Sequence, residues 1–466
     1  MKNMMKIIKS ICNIFCFVII FFGCQKTFLE KKPSQAILQP TTLEEFQSLL
    51  DNYDVMNITG GLGVVSADDH LYYSDALWLS SRTATERNAY IWAKDLFEGE
   101  NSEDWNKPYT TIFYANNVLA GLERIPVTSI NKSRLNNVKG WALFSRAYAY
   151  FELLSHFSVP FDASTASNDP GVPIRINPSI DELMPRASIE QNYELIFADL
   201  HQAAVLLDVL PTLQRNRPSK VAVYALLSRI HLNRREYPKA ELYADSCLMN
   251  YDKLLDYNTL NKTAATPFSV SNDELIFSKS ALNRGATSAG NTLIKIAPNL
   301  ISEYHPNDLR LVIFFNRQTD GSYRMKRAYH GYGLYPFAGL ATDEVYLIKS
   351  ECLARRNQPV MAMEWLNRLV IKRWNSASIP SQAYTPLFSS NGEDALEKVL
   401  LERRKELVWR GHRWEDIKRL NKEGKNIILE RTVNGILYTL LPNSPRYTFP
   451  IPDNEIWMSG IQQNIR

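Results

Sequence analysis

The chain has 466 residues, 45% of them hydrophobic and 22% charged, with a formal net charge of +4. This is globular composition in a chain too long for one small core, so disorder is excluded and several packed subregions or one extended helical body are expected. Lys2, Lys6 and Lys9 supply three of the surplus charges and sit in a segment read below as removed, which leaves +1 and no electrostatic case for nucleic acid.

The first element is an address. After the three lysines, residues 11–22 (ICNIFCFVIIFF) are apolar and uncharged, too short to span a bilayer and of the length of a signal-peptide core. Gly23 then precedes Cys24, an order similar to a bacterial lipobox, in which the cysteine becomes the acylated N-terminus. Phe21 and Phe22 depart from its usual Leu and small residue, and the alternative is an ordinary secretory signal with an incidental cysteine. The adjacency of Cys24 to the apolar run favours residues 1–23 as signal peptide, Cys24 as the lipidation site and 24–40 as a tether. Of five cysteines only Cys247 and Cys352 then remain in the body. Both lie in helix-like segments without a CxxC or a nearby His, which predicts two buried free thiols and neither a zinc site nor a disulfide framework.

Residues 41–53 predict a helix with Thr42 and Glu45 as a capping box. A Gly- and Asp-rich loop follows over 57–75, then an aromatic stretch. Helices are predicted over 109–124 and 132–157, the second ending on His156, which favours a helix C-terminus when charged. Four prolines break 162–185. Ser188 caps the next helix, with Gln191 three residues on. Residues 218–232 and 237–248 form a helical hairpin of small and aromatic residues, tetratricopeptide-like in style, and 342–356 with 360–374 form another. Between them 251–341 is irregular, with short strands at 274–278 and 311–315. The tail from 447 is irregular and Pro-rich.

The densest stretch is 397–420, EKVLLERRKELVWRGHRWEDIKRL. Leu396, Val399, Leu400 and Leu407 recur at helical spacing, and Arg403 falls on the same stripe. Lys398, Glu402, Glu406 and Arg410 stand four apart, so an ion-paired face is expected. Gly411 marks the helix end. Two readings arise: a structural corner with a buried ion pair, or a catalytic carboxylate at Glu402 or Glu406. A glycosidase acid needs a raised pKa, and the neighbouring Arg and Lys depress both carboxyls, so the structural corner of Glu402, Arg403, Glu406 and Arg410 is preferred, with Arg403 facing a carboxylate of a neighbouring hairpin.

Several stretches resemble the SusD-like (RagB/SusD) family of outer-membrane nutrient-binding lipoproteins. They are Phe28-Leu29-Glu30 with Pro33; KGWALFSRAYAYFELLSHFSVP from Lys139, where Ser158 replaces the usual Gly; Pro185-Arg186-Ala187-Ser188 with Asp199-Leu200 and Ala203; the pattern from Tyr346 to Arg373, with Ser350 for the usual Ala; Glu402-Arg403 through Glu406-Leu407, Gly411, Arg413 and Asp416; and Pro450-Ile451-Pro452 with Glu455 and Gln463-Asn464. The resemblance implies a mostly α fold, in which four tetratricopeptide-like hairpins form the scaffold of a single body over 41–466. That scaffold lies mainly in 110–250 and 342–422, and the irregular, ligand-facing parts mainly in 54–108 and 251–341. It further implies an outer-membrane, lipid-anchored protein facing the cell exterior. Such a protein sits as a lid on a SusC-like TonB-dependent transporter and captures a glycan, or in some members a peptide. Neither catalysis nor a cofactor belongs to that role.

The residues agree on chemistry. No G-x-S-x-G, HExxH or Walker loop occurs. Gly60-Gly61-Leu62-Gly63 lacks a surrounding βαβ unit and is not a phosphate cradle, and Asp68-Asp69-His70 reads as a solvated turn and not a metal site. An enzyme and a helical-repeat scaffold remain as alternatives to a binding lid. Sugars offer C–H faces that stack on exposed aromatic rings. The candidate ligand residues are therefore Tyr72, Tyr73, Trp78 and Arg82, then Tyr329, Tyr332 and Tyr335, with Trp92 a lesser one. Core packing competes for each ring.

Overall fold

Thr42 opens the first helix, α1 (Leu43–Leu50), through the expected capping box: its N–H donates to Glu45 Oε2 at 2.9 Å and its Oγ1 accepts from the Glu45 N–H at 3.3 Å. In this computed structural model the described residues are 40–179, 182–282, 284–288, 290–326, 329–377 and 379–466. Cys24 and the expected signal and tether lie outside them, apart from Pro40.

The main helices follow as α2 (Glu103–Leu122), α3 (Lys132–Phe157), α4 (Ile189–Leu206), α5 (Lys220–Asn233), α6 (Tyr237–Asn250), α7 (Thr342–Arg355), α8 (Pro359–Val370), α9 (Gly392–Glu406) and α10 (His412–Lys422). Each of α2 to α7 packs on its successor, and α9 lies against α7 and α8. This is the mostly α scaffold of helical hairpins. The α5–α6 and α7–α8 turns are built alike: Arg235 (φ 60°) and Asn357 (φ 57°) adopt the left-handed conformation, and a proline opens the next helix within its first two positions. The repeat is therefore in the backbone rather than in the residue types.

Helix α3 is buried on every side from Gly140 to Leu154, including Arg146, whose guanidinium bonds Asp199 of α4 twice at 2.7 Å and Asn116 of α2 at 2.9 Å. His156 does not serve the α3 C-terminus as a charge, because burial lowers its pKa and its Nδ1 is taken up by the Glu152 carbonyl. Lys418 of α10 does so instead. Its ammonium donates to the carbonyls of Ser155 (2.6 Å) and Ser158 (3.3 Å).

The irregular halves are stitched together by short strand pairs: Ile58–Thr59 with Ser280–Ala281, His70–Tyr72 with Ile294–Ile296, and Leu275–Phe277 with Leu340–Ala341. Three local expectations change. Residues 311–315 form the end of a helix (Arg310–Ile313) before a strand (Phe315–Arg317). The tail contains a helix, Asp453–Ser459. Leu429–Val433 and Ile436–Leu440 form a hairpin about Asn434 and Gly435, an Asn-Gly turn with both residues at positive φ.

The 397–420 stretch is a buried charge cluster, with different partners from those its spacing predicts. The buried stripe of α9 is Ala395, Val399, Glu402, Arg403 and Glu406, whereas Leu396 and Leu400 are only half-buried. Lys398 pairs with Asp394, Glu402 with Lys405 and Arg310, and Glu406 with Arg310 (3.0 Å) and Arg373 (2.7 Å). Arg403 Nε donates to Asp416 at 2.9 Å, and Arg410 reaches Asp343 of α7 at 2.7 Å. Gly411 (φ 80°) caps the start of α10, five residues beyond the end of α9. Asp68 and Asp69 are not a solvated turn. Asp69 is buried and Asp68 half-buried, and Arg404 and Arg413 reach over to Asp68 at 3.1 and 2.6 Å.

Burial alone would raise Glu406, but Arg373 and Arg310 outweigh it and hold the carboxyl at about 2; Arg229 does the same for Glu344, also at about 2. Depressed carboxyls stabilise the fold above their unfolded value of 4.5 and lose that contribution as pH falls through about 2. Asp69 and Asp343, raised to about 6 and about 7 chiefly by burial, act in the opposite sense and add stability as pH falls from those values to their unfolded value of 3.8. Urea midpoints are expected to fall from about pH 3.8 to pH 2, and a flat acid limb would contradict the cluster. Arg310→Met leaves Asp308 without its arginine and takes one of two cations from both Glu402 and Glu406, and is expected to cost about 3–5 kcal/mol. Arg403→Ala is expected to cost less, because Arg419 still holds Asp416. Equilibrium unfolding of the two variants checks that order.

Candidate functional site

Residues 331–336 form a loop that carries three large side chains outward: Tyr332, Leu334 and Tyr335 are 39%, 39% and 38% exposed. Gly331 (φ 72°) and Gly333 (φ 55°) allow the sharp path, and a Cβ on Gly331 would meet the backbone of residues 268–270 at 2.8–3.0 Å. The Tyr332 ring lies 5.0 Å from the Tyr53 ring at a 31° tilt. Tyr53 belongs to the short helix Tyr53–Met56, which follows α1 directly. Exposed Val270 lies on the segment that backs the loop.

This ledge is anchored from behind. Tyr53 OH lies 2.8 Å from Ser280 Oγ, which lies 2.6 Å from His330 Nε2. Burial drives His330 down to about 3, so its imidazole is neutral, and its Nδ1 has no carboxylate or other hydrogen-bond partner. Ser280 is fully buried. A serine–histidine pair without access or an orienting acid holds two segments together and does not make a nucleophile. Next to it Tyr329 OH donates to Glu274, and the Arg410 guanidinium sits 3.5 Å from the Tyr329 ring centre. The loop is thus tied to the buried charge cluster.

The sequence candidates separate by burial. Tyr332 and Tyr335 stand in the ledge and Arg82 is exposed elsewhere. Tyr73 is half-buried between Lys295 (5.6 Å) and Arg324 (5.0 Å). The other four have no face open to a solute. Tyr72 packs edge-on to Tyr90 and bonds Ser81, Trp78 Nε1 donates to the Arg87 carbonyl, Trp92 Nε1 donates to the Ser66 carbonyl, and Tyr329 is held as above. Each ring found an internal partner for its polar atom, which makes full burial possible. Tyr53 reads in the sequence as the last residue of a helix, and its contact with Tyr332 comes from the tertiary fold. Gly60 and Gly61 do not cradle an anion: a Cβ on Gly60 would collide with the Asp104 carboxylate, which takes the Leu62 N–H at 2.9 Å. Among the described residues no group of three or more His, Cys, Asp or Glu is placed to hold a metal ion, and no helix is long and apolar enough to cross a membrane.

Comparison with known proteins adds the following. Residues 27–232 match a family model described as "Starch-binding associating with outer membrane", and residues 342–465 match one described as "SusD family". SusD-like protein P38 of Formosa agariphila is 25% identical over 386 residues, 68% of this chain and 72% of that protein. Among solved structures, a candidate sugar-binding protein of Bacteroides vulgatus is 23% identical with a TM-score of 0.72, over 91% of this chain and 99% of its own. A SusD superfamily protein of Bacteroides thetaiotaomicron is 22% identical with a TM-score of 0.71, over 91% of this chain and all of its own. Those two likenesses establish a shared fold.

The buried aromatics are expected to act on stability. Trp92→Ala is expected to cost about 3–5 kcal/mol, read from urea unfolding, and a variant as stable as the parent would show that this ring is not core.

Proposed function

Because the chain belongs to the SusD-like family, we propose that it is a cell-surface lipoprotein that captures a glycan and delivers it to a SusC-like TonB-dependent transporter in the outer membrane. The observation that carries this reading is the Tyr53–Tyr332–Tyr335 ledge. It presents the Tyr332 and Tyr335 rings, with half-buried Tyr53 packed behind Tyr332, at a backed surface where the C–H faces of sugar rings can stack and loop polar groups can meet hydroxyls. Among the described residues, the one histidine next to the ledge, His330, is buried against Ser280 with no carboxylate partner. Glu402 and Glu406 are both locked to arginines within the fold, so the site favours holding a saccharide over cleaving it. The family model's outer-membrane description and the adjacency of Cys24 to the apolar run support a lipid anchor through that cysteine.

Screening the form lacking residues 1–24 against glycan and peptide panels tests the ligand class, and binding of peptides alone would overturn the glycan reading. Tyr332→Ala is expected to weaken the retained glycan about tenfold, or about 1.4 kcal/mol; titration calorimetry showing unchanged affinity in both Tyr332→Ala and Tyr53→Ala would remove the ledge as the site. Cys24→Ala is expected to leave the membrane fraction and to cease co-purifying with a large outer-membrane barrel, and retention in that fraction would end the anchor assignment.

A further inference from the structure

Tyr73 stands outside the ledge, on a small platform of strands. His70–Tyr72 pairs with Ile294–Ile296, and the strand Tyr323–Met325 packs beside the latter. Tyr73 prolongs the first strand, its N–H donating to the Leu293 carbonyl at 3.0 Å. Its side chain reaches the third strand, where the hydroxyl meets Ser322 Oγ and accepts from Arg324 Nε at 3.3 Å. Lys295 stands opposite Leu71 in the ladder and brings its ammonium to 5.6 Å from the Tyr73 ring centre; the Arg324 guanidinium lies at 5.0 Å.

These two cations are not neutralised. Among the described residues neither has a carboxylate at ion-pair distance, whereas Arg310, Arg373, Arg403 and Arg410 in the interior are all paired. The only carboxylate on the hairpin 315–325 is Asp320, and it is turned into its own bend, accepting from the Ser322 N–H at 2.9 Å and the Ser322 hydroxyl at 2.6 Å. Both cationic side chains are half-buried, yet the Lys295 ammonium and the Arg324 Nη atoms stay open to water and have no hydrogen-bond partner. Exposed Asn316 pairs with Arg324 across the hairpin, and its side-chain amide is uncommitted.

We propose that this platform binds an acidic saccharide chain, one whose sugar rings carry carboxylate or sulfate groups. The proposal rests on the capture reading for the saccharide and adds a charged class at a separate site; no chain has to reach from here to the ledge. Free surface cations extend into water, but here one tyrosine holds the stems of both. Two like charges held beside one ring repel, and an arriving anion removes that repulsion. The guanidinium fork of Arg324 suits the paired oxygens of a carboxylate or sulfate, and Lys295 supplies a point charge. An acidic chain carries its charges in series, so each cation can take its own group. Asn316 offers a neutral donor and acceptor for a hydroxyl. Lys295 and Arg324 sit on paired strands, so little ordering is required on binding.

The test titrates hexasaccharides of galacturonate and of chondroitin sulfate into the parent, Lys295→Gln, Arg324→Gln and Tyr73→Phe. Maltohexaose and mannohexaose serve as neutral controls, and poly-L-glutamate as an acidic polymer without sugar. An acidic hexasaccharide is expected to bind the parent, more weakly as NaCl is added, and about tenfold more weakly in each glutamine variant. Tyr73→Phe keeps the ring but frees Arg324, and is expected to lose less than Arg324→Gln. Affinity for a neutral hexasaccharide is expected to be the same in parent and glutamine variants, and melting curves matching the parent confirm that they fold. Acidic affinity unchanged in both glutamine variants overturns the site. Neutral hexasaccharides bound and acidic ones refused overturns the acidic class and leaves capture standing. Poly-L-glutamate bound as tightly as the acidic hexasaccharides shows a patch that reads charge alone and overturns the saccharide assignment. If no saccharide binds the parent, this site and the capture reading fall together.

Discussion

Arg310 has no contact with water, and three carboxylates surround it: Asp308 at 2.6 Å, Glu402 at 2.7 Å and Glu406 at 3.0 Å. Removing such charges from water costs several kcal/mol per ion, and only dense mutual pairing offsets it. Glu406 answers by bridging Arg310 to Arg373, which in turn holds Glu274 at 2.7 Å. These residues come from α9, from the end of the α7–α8 hairpin and from the irregular segment between α6 and α7. Losing Arg310 would leave Asp308 without its partner and losing Arg373 would do the same to Glu274, so the cluster joins the helical scaffold to its irregular half.

That constraint reaches the surface. Glu274 accepts from Tyr329, Arg410 covers the Tyr329 ring, and the next residues are His330 and the exposed loop. A loop with two left-handed glycines would otherwise sample many paths. Here its base is tied to a charge network on one side and to the Tyr53–Ser280–His330 latch on the other. Ligand side chains on a mobile loop must be ordered on binding, whereas a ledge already fixed avoids that cost. The 397–420 stretch and the ledge are therefore connected: the charge cluster braces the base of the loop.

Much of the scaffold was legible. The capping boxes at Thr42 and Ser188 set their helices, α3 runs over the expected 132–157, and both hairpins fall where small and aromatic residues alternate. These signals are local, arising within one turn of helix. The charged stretch was half legible. An arginine on an apolar stripe announced a buried partner, but spacing suggested ion pairs along one helix, whereas Arg310 and Arg373 meet Glu402 and Glu406, and Asp343 meets Arg410, from 33 to 96 residues away. Asp68 misled for the same reason, since nothing nearby in sequence announces Arg404 and Arg413.

The sequence by itself determined the helical class, the family and the buried character of the Glu402–Arg410 corner, because caps, periodicity and a misplaced charge are statements about neighbours along the chain. It also marked the loop at 329–335 as aromatic and irregular. Only the tertiary structure decided which rings face outward. Tyr72, Trp78, Trp92 and Tyr329 are each buried because another part of the chain covers the ring and bonds its polar atom. Tyr332 and Tyr335 keep more than a third of their surface open, and half-buried Tyr53 packs on Tyr332 from a position almost three hundred residues earlier. Exposure is a property of what packs against a residue, and no local pattern encodes it.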